Sequence, residues 1–194
     1  THNGSILTSS KQITCSFPFR MNSLTQDYFF AAYDGGSSRL RILFDGATGP
    51  IRIVATNSSG TDILEMQSGS ISDTSWHQCA FSFDLSDPAK RHLVIDEVDD
   101  LASVPVYSND TIATGDADEY YVGALNTLGG TLFNGDMSDF WLASGQYVDL
   151  SNSANLAAFW VNGRPANLGN DGSRATGVSP LVCLAGKTSA RESK

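Results

Sequence analysis

Residues 73 to 96 constrain the fold of this chain more than any other stretch. In Trp76-His77-Gln78-Cys79-Ala80-Phe81-Ser82-Phe83-Asp84 apolar side chains recur at every second position, and a second strand pattern follows in Arg91-His92-Leu93-Val94-Ile95-Asp96. A period of two lines up side chains on one face of an extended backbone. The intervening residues 84–90 contain Asp84, Asp87 and Pro88, which favour a bend. The stretch predicts two antiparallel strands joined by a turn.

The same period recurs elsewhere. Ile13-Thr14-Cys15-Ser16-Phe17 alternates, residues 28–33 form a nearly continuous apolar run that ends in Asp34-Gly35-Gly36, and residues 39–44 alternate before Asp45-Gly46. Glycine takes positive φ without penalty, so both Asp-Gly pairs punctuate strands. Residues 51–55 and 62–66 continue the series, and ten or more strands can be accommodated. With 18 glycines, 41% hydrophobic and 17% charged residues, the 194-residue chain suits one all-β domain better than a helical bundle. One helix is predicted after Asp149, capped by Ser151 or Asn152, with Leu156, Phe159 and Trp160 on one face and Gly163 and Pro165 as its stop.

The Trp76-His77 pair and the strand ending Asp96-Glu97-Val98-Asp99 resemble the laminin-G and pentraxin-like branch of the concanavalin A-like lectin/glucanase superfamily. There a Trp-His pair opens a strand whose partner ends near Asp-Gly. Residues 120–123 and 132–141 look like the family's closing pair of strands, and the matches together cover residues 12 to 161. The resemblance implies a two-sheet antiparallel jelly-roll sandwich, with residues 1–161 as the lectin-like body and 162–194 as an extended C-terminal strap and basic tail. Within the strap, Gly163-Arg164-Pro165, the Leu168 to Ser173 run and the Thr176 to Pro180 run resemble structural proteins of tailed bacteriophages and gene transfer agents.

The residues also bound the chemistry. A formal charge of −9 opposes binding to nucleic acid, whose affinity rests on lysines and arginines displacing counterions. No run approaches the ~20 apolar residues that cross a bilayer as a helix, and the first residues lack a basic segment followed by an apolar one. The chain is therefore expected to be soluble, without membrane insertion. Cys15, Cys79 and Cys183 are odd in number, widely spaced and set among apolar residues, as buried thiols folded in a reducing host cytoplasm would be. Zinc asks for three or four close ligands, which His77 and His92 do not supply; His77 is expected at the edge of the core with a hydrogen-bonded ring.

Catalysis lacks a warrant. Glycosidases of the superfamily carry carboxylates on one strand face as proton donor and nucleophile or base. Because side chains alternate along a strand, Glu97 and Asp99 are expected to share one face and Asp96 and Asp100 the other, which does not reproduce the Glu-x-Asp-x-Glu triplet. No nucleophile elbow, phosphate loop or Cys-x-x-Cys pair is present. No cofactor is required, and calcium is the one metal that the resemblance brings in, with Asp116, Asp118 and Asp136 as hard oxygen ligands. Aromatic faces stack on sugar C–H surfaces. Tyr107, Tyr120, Tyr121, Trp141 and Tyr147 are the contributors expected from sequence, although alternation packs several of them inside. At the C-terminus, Lys187, Arg191 and Lys194 form either a solvated tail or an arm docking on an acidic neighbour.

Together these readings predict a non-enzymatic virion surface protein of a tailed phage or related particle, a capsid decoration or fibre component. Its partners would be other virion proteins, copies of itself and a host surface glycan. A carbohydrate-binding module of a secreted enzyme is the alternative, followed by a glycan hydrolase acting through Glu97 and Asp99.

Overall fold

The computed structural model describes the backbone of residues 2–3 and residues 7–46, 49–125 and 131–184. Its strands in chain order are β1 His2–Asn3, β2 Gln12–Met21, β3 Gln26–Asp34, β4 Ser37–Asp45, β5 Pro50–Thr56, β6 Asp62–Ser70, β7 His77–Asp84 and β8 Arg91–Ile95. They continue as β9 Val98–Asp99, β10 Leu101–Tyr107, β11 Glu119–Val122, β12 Gly135–Met137, β13 Phe140–Ser144, β14 Trp160–Val161, β15 Arg164–Pro165 and β16 Val182–Leu184. Two antiparallel sheets face each other as a sandwich. The first has the order β1-β11-β3-β4-β5-β6-β10 and the second β16-β13-β2-β7-β8-β9, with β12 also on β2.

The sandwich is held by the alternation that the sequence displays. Ile13, Cys15, Phe17, Phe19 and Met21 of β2 and Cys79, Phe81 and Phe83 of β7 point inward, against Phe29, Phe30, Leu40, Ile42, Phe44, Ile51 and Ile53 of the first sheet. Phe17 and Phe29 meet across the sheets at 5.0 Å between ring centroids, and Phe30 stacks on Phe140 at 5.6 Å. Each buried ring contributes about 1.5–3 kcal/mol of apolar transfer. Cys15 and Cys79 are free thiols in this core, and burial pushes both well above the usual thiol range.

The predicted hairpin forms, with β2 and β8 flanking β7. Its long turn is closed by the Asp84 carboxylate, which accepts from the Ser86 amide (2.9 Å), the Ser86 hydroxyl (2.6 Å) and the Gln12 amide group (2.7 Å). The next turn departs from the extended reading of residues 96–100. Ile95 pairs with Val98, so Asp96 and Glu97 are the two central residues of a tight hairpin, at φ 52° and 67°. Positive φ at both positions is the geometry normally given to Asn-Gly or Gly-Gly. Glu97 therefore projects from a turn and does not share a strand face with Asp99.

The strands expected at residues 120–123 and 132–141 form and finish different sheets: β11 joins the first beside β3, whereas β12 and β13 join the second beside β2, with an antiparallel bridge of Ala124 and Leu132 between the two segments. One further expectation changes. The helix covers only Ser153–Leu156, with Asn152 as its cap, accepting from the Ala154 amide at 2.9 Å. Trp160 leaves the helical pattern because Asn162 and Gly163, at φ 53° and 73°, form a two-residue hairpin turn between β14 and β15.

The second sheet is covered on its outer face as well. A separate cluster of Ala80, Val94, Trp141, Ala143, Leu150, Phe159 and Leu168 lies between that face and the segment after residue 147. Trp141 is fully buried there; its indole N–H donates to the Gly172 carbonyl at 3.0 Å and its ring meets Phe159 edge-on at 5.0 Å. β16 then adds to the edge of β13. No helix among the described residues is long and apolar enough to cross a membrane.

Candidate functional site

The cover stops short of one end of the second sheet, and a groove of about 340 Å³ opens there, lined by Pro18, Trp76, Ser138, Trp160, Gly163 and Pro165. Each wall has a local cause. Phe17 and Phe19 face the core, so Pro18 and Arg20 between and beyond them face outward. Proline lacks the amide needed in a sheet interior. Pro18 is tolerated because its backbone faces the junction between β12 and β13, where the ladder is interrupted and the Ser138 amide reaches the Pro18 carbonyl at 3.3 Å. Asp139, at φ 46°, makes that interruption.

Trp76 ends the loop before β7 and is 49% exposed. The loop is pinned behind it: Asp73 accepts from the Ser75 amide at 2.7 Å, and His77 bridges Asp73 (3.2 Å) and Asp96 (2.7 Å). The Ser75 amide, the first cause, and the neighbouring His77 hold the Asp73 carboxyl below the usual carboxylate range. Asp96 also accepts from the Gln78 amide at 2.8 Å, which ties the strained turn at 96–97 to the loop that carries Trp76. His77 thus sits at the core edge with both ring nitrogens engaged and its ring tilted against Phe19 at 5.6 Å between centroids.

The indole of Trp76 is oriented from the other side by Arg20, whose guanidinium lies 5.6 Å from the ring centroid. Arg20 is in turn held by Asp136 through Nε (3.2 Å) and Nη2 (2.5 Å). These residues face each other because Gly135 lets β12 press onto β2: a Cβ there would come within 2.0 Å of the Arg20 carbonyl oxygen. The β14–β15 hairpin supplies the rest of the lining. Its two-residue turn pairs Trp160 with Pro165 and Val161 with Arg164, so Trp160 and Pro165 share the face toward the groove.

The residues singled out by sequence fall elsewhere. Trp141, Tyr120 and Tyr121 are buried and cannot serve as sugar platforms. Trp141 anchors the outer cover, the Tyr120 hydroxyl donates to the carbonyls of Thr114 and Ala117, and the Tyr121 hydroxyl donates to Glu119 at 2.5 Å. Tyr107 and Tyr147 are half-buried, but cations occupy their faces: the Arg91 guanidinium lies 4.4 Å from the Tyr107 ring and the Lys90 ammonium 5.6 Å from that of Tyr147. The Tyr147 hydroxyl is bonded to His92 at 2.7 Å, and burial first, then Asp149, raises its pKa above the ordinary phenol value.

The calcium ligands do not converge. Asp118 lies beside Tyr33 at the end of β3, while Asn134, two residues before Asp136, bonds Asp27 near the start of β3, roughly 20 Å away at 3.3 Å per residue. Asp136 is engaged by Arg20, and among the described residues no three His, Cys, Asp or Glu side chains cluster as a metal site. Lys187, Arg191 and Lys194 lie outside the described residues.

Sequence reasoning missed Trp76 and Trp160 as a pair. The available signal was Asn162-Gly163, a strong two-residue hairpin turn. Read that way, Trp160 becomes a strand residue on one hairpin face instead of the end of a helix.

Two facing antiparallel sheets of this kind define the class of a lectin-like jelly-roll sandwich. The chain belongs to the Concanavalin A-like lectin/glucanases superfamily, whose sequence pattern matches residues 1–148. The fold is similar to a heptameric SAP-like pentraxin from Limulus polyphemus, with 14% identity, a TM-score of 0.57 and coverage of 82% of this chain and 75% of that one. It is also similar to the CBM40 of a Ruminococcus gnavus sialidase bound to α2,3 sialyllactose (10% identity, TM-score 0.53, coverage 74% and 82%). Domain 4 of AbnA, a GH43 extracellular arabinanase from Geobacillus stearothermophilus in complex with arabinotriose, is a further neighbour (19% identity, TM-score 0.53, coverage 79% and 70%). At these identities the likeness concerns the fold. No curated protein matches the chain in sequence.

Proposed function

We propose that this domain is a non-enzymatic glycan-binding module and that the saccharide lies in the groove between Trp76 and Trp160. The observation that carries this reading is the pair of indoles lining one groove, one of them half exposed and held in place by Arg20 and the pinned loop. Sugar rings present C–H faces to such platforms. Two structural neighbours are complexes with saccharides, which supports the same chemistry on this fold. A binding role, without hydrolysis, is favoured because the groove lining carries no carboxylate, whereas glycoside hydrolysis needs two across the scissile bond.

The module's setting is part of the reading. The Gly-Arg-Pro and Leu-Gly-x-Asp-Gly-Ser pattern of residues 163–173 supports a place on the exterior of a tailed phage or related particle, beside other virion proteins or copies of itself. The binding site is tested by affinity electrophoresis through immobilised polysaccharides. Retardation of the wild type is expected to fall at least tenfold in Trp76→Ala and in Trp160→Ala with the thermal midpoint of Trp76→Ala nearly unchanged; retention by both variants would refute the assignment. Mass spectrometry of purified particles from the source tests the setting, which fails if this chain is absent from them.

A further inference from the structure

We infer that the groove selects uncharged saccharides, and that Asp136 enforces the choice by occupying the cation beside it. The inference deepens the glycan reading above and rests on it. The lining consists of two indoles, two prolines, a glycine and a serine, without an acid or a base. Arg20 is the cation that could greet a uronate, sialate or sulfate, since its guanidinium lies over Trp76. Both its Nε and its Nη2 are already spent on the same oxygen of Asp136. An arriving carboxylate would meet a guanidinium whose charge Asp136 already balances, and would stand beside a carboxylate of the same sign on β12.

Among the described residues the β14–β15 hairpin offers no substitute. Arg164 pairs with Val161 across the β14–β15 hairpin, and alternation directs that pair away from the face shared by Trp160 and Pro165. The chain as a whole carries a formal charge of −9, so the long-range field also repels polyanions. A neutral saccharide meets none of these penalties: its C–H faces contact the indoles and its hydroxyls reach Ser138 or solvent. The specificity therefore comes from a counter-ion built into the protein. Removing that counter-ion should reverse it, because Asp136→Asn leaves Arg20 an unpaired cation over the platform.

The test is affinity electrophoresis at fixed ionic strength of wild type, Asp136→Asn and a charge-matched control, Asp62→Asn, whose carboxylate pairs with Arg41 elsewhere on the surface. The probes are laminarin, linear arabinan and mannan as neutral polymers, and alginate, polygalacturonate and heparin as polyanions. The wild type is expected to be retarded by at least one neutral polymer and by no polyanion. Asp136→Asn should gain at least threefold retention on a polyanion, and Asp62→Asn should not. If a polyanion retards the wild type and Trp76→Ala abolishes this, the charge rule is overturned while the glycan site stands. Equal behaviour of Asp136→Asn and Asp62→Asn overturns the role of Asp136. If no polymer retards the wild type, or retardation survives in both tryptophan variants, the glycan reading fails and the inference falls with it.

Discussion

The outer faces of the two sheets are built from the same alternating pattern and end up in opposite states. On the first sheet the outward residues of β4, β5 and β6 include Arg41, Arg52 and Glu65, and they form a lattice of ion pairs: Arg41 with Asp62 (3.4 Å), and Arg52 with Asp45 (3.2 Å) and Glu65 (2.9 Å). On the second sheet the outward Thr14, Ser16, Gln78, Ala80, Ser82 and Trp141 are all buried under the C-terminal third of the chain. One face is finished by charge and the other by chain. The groove arises where the second solution runs out, and there an exposed indole meets solvent beside the uncovered end of the sheet.

The comparison is broken most severely at Trp141. Trp141→Ala removes the centre of the outer cluster and leaves the Gly172 carbonyl without its donor, which should cost about 3–5 kcal/mol. Urea unfolding checks this, and a loss below ~1 kcal/mol would mean that the cover is not integral to the fold. Asp84→Asn should cost about 1–3 kcal/mol at pH 7 by weakening the hydrogen bonds that close the β7–β8 turn. Burial alone would raise the pKa of Asp84, but the bonds from Ser86 and Gln12 together with Lys90 outweigh it, so the pKa lies below its ordinary value of 3.8. A depressed carboxylate stabilises the folded state above its unfolded value and loses that contribution as the pH falls through the folded one. The gap between wild type and variant should therefore narrow below about pH 4, as thermal melts at pH 7 and pH 3 would show.

A smaller effect of opposite sign is expected at the turn behind the groove. Glu97→Gly relieves positive φ and should stabilise by about 1 kcal/mol in chemical denaturation. On the charged face the response should be weakest: Arg41→Gln removes an exposed ion pair and is expected to shift stability by no more than about 0.5 kcal/mol. If Arg41→Gln proved as damaging as Trp141→Ala, the contrast between the faces would be wrong.

Most of the sandwich was legible because a core between two sheets imposes period two directly on sequence. β2, β4, β7 and β8 could each be read from alternation alone. The outer cover was harder, because burial of both faces lets small polar residues such as Ser16 and Ser82 stand at positions that read as solvent-facing. Trp141 was the clue: an indole opposite the core face of a strand signals a second layer, yet it also looks like a platform. The turn at 96–97 was illegible for a different reason, since Asp and Glu occupy a geometry that glycine or asparagine normally announces. There the tie from Asp96 to His77 and the Gln78 amide compensates for a poor local preference, which is a tertiary fact.

The position of β2 has a consequence for how the molecule comes into being. Its partners on one side, β12 and β13, are translated roughly 120 residues later, which at ribosomal speeds of about 5–20 residues per second leaves it waiting several seconds or more. During that interval the ten-residue segment of Phe17, Phe19 and Met21 is an apolar strand without its neighbours, the sort of sequence that templates aggregation. Pro18 and Arg20 interrupt it with a missing amide and a charge, the two devices that blunt such segments. The residues that later frame the groove thus first serve as guardians of the nascent chain.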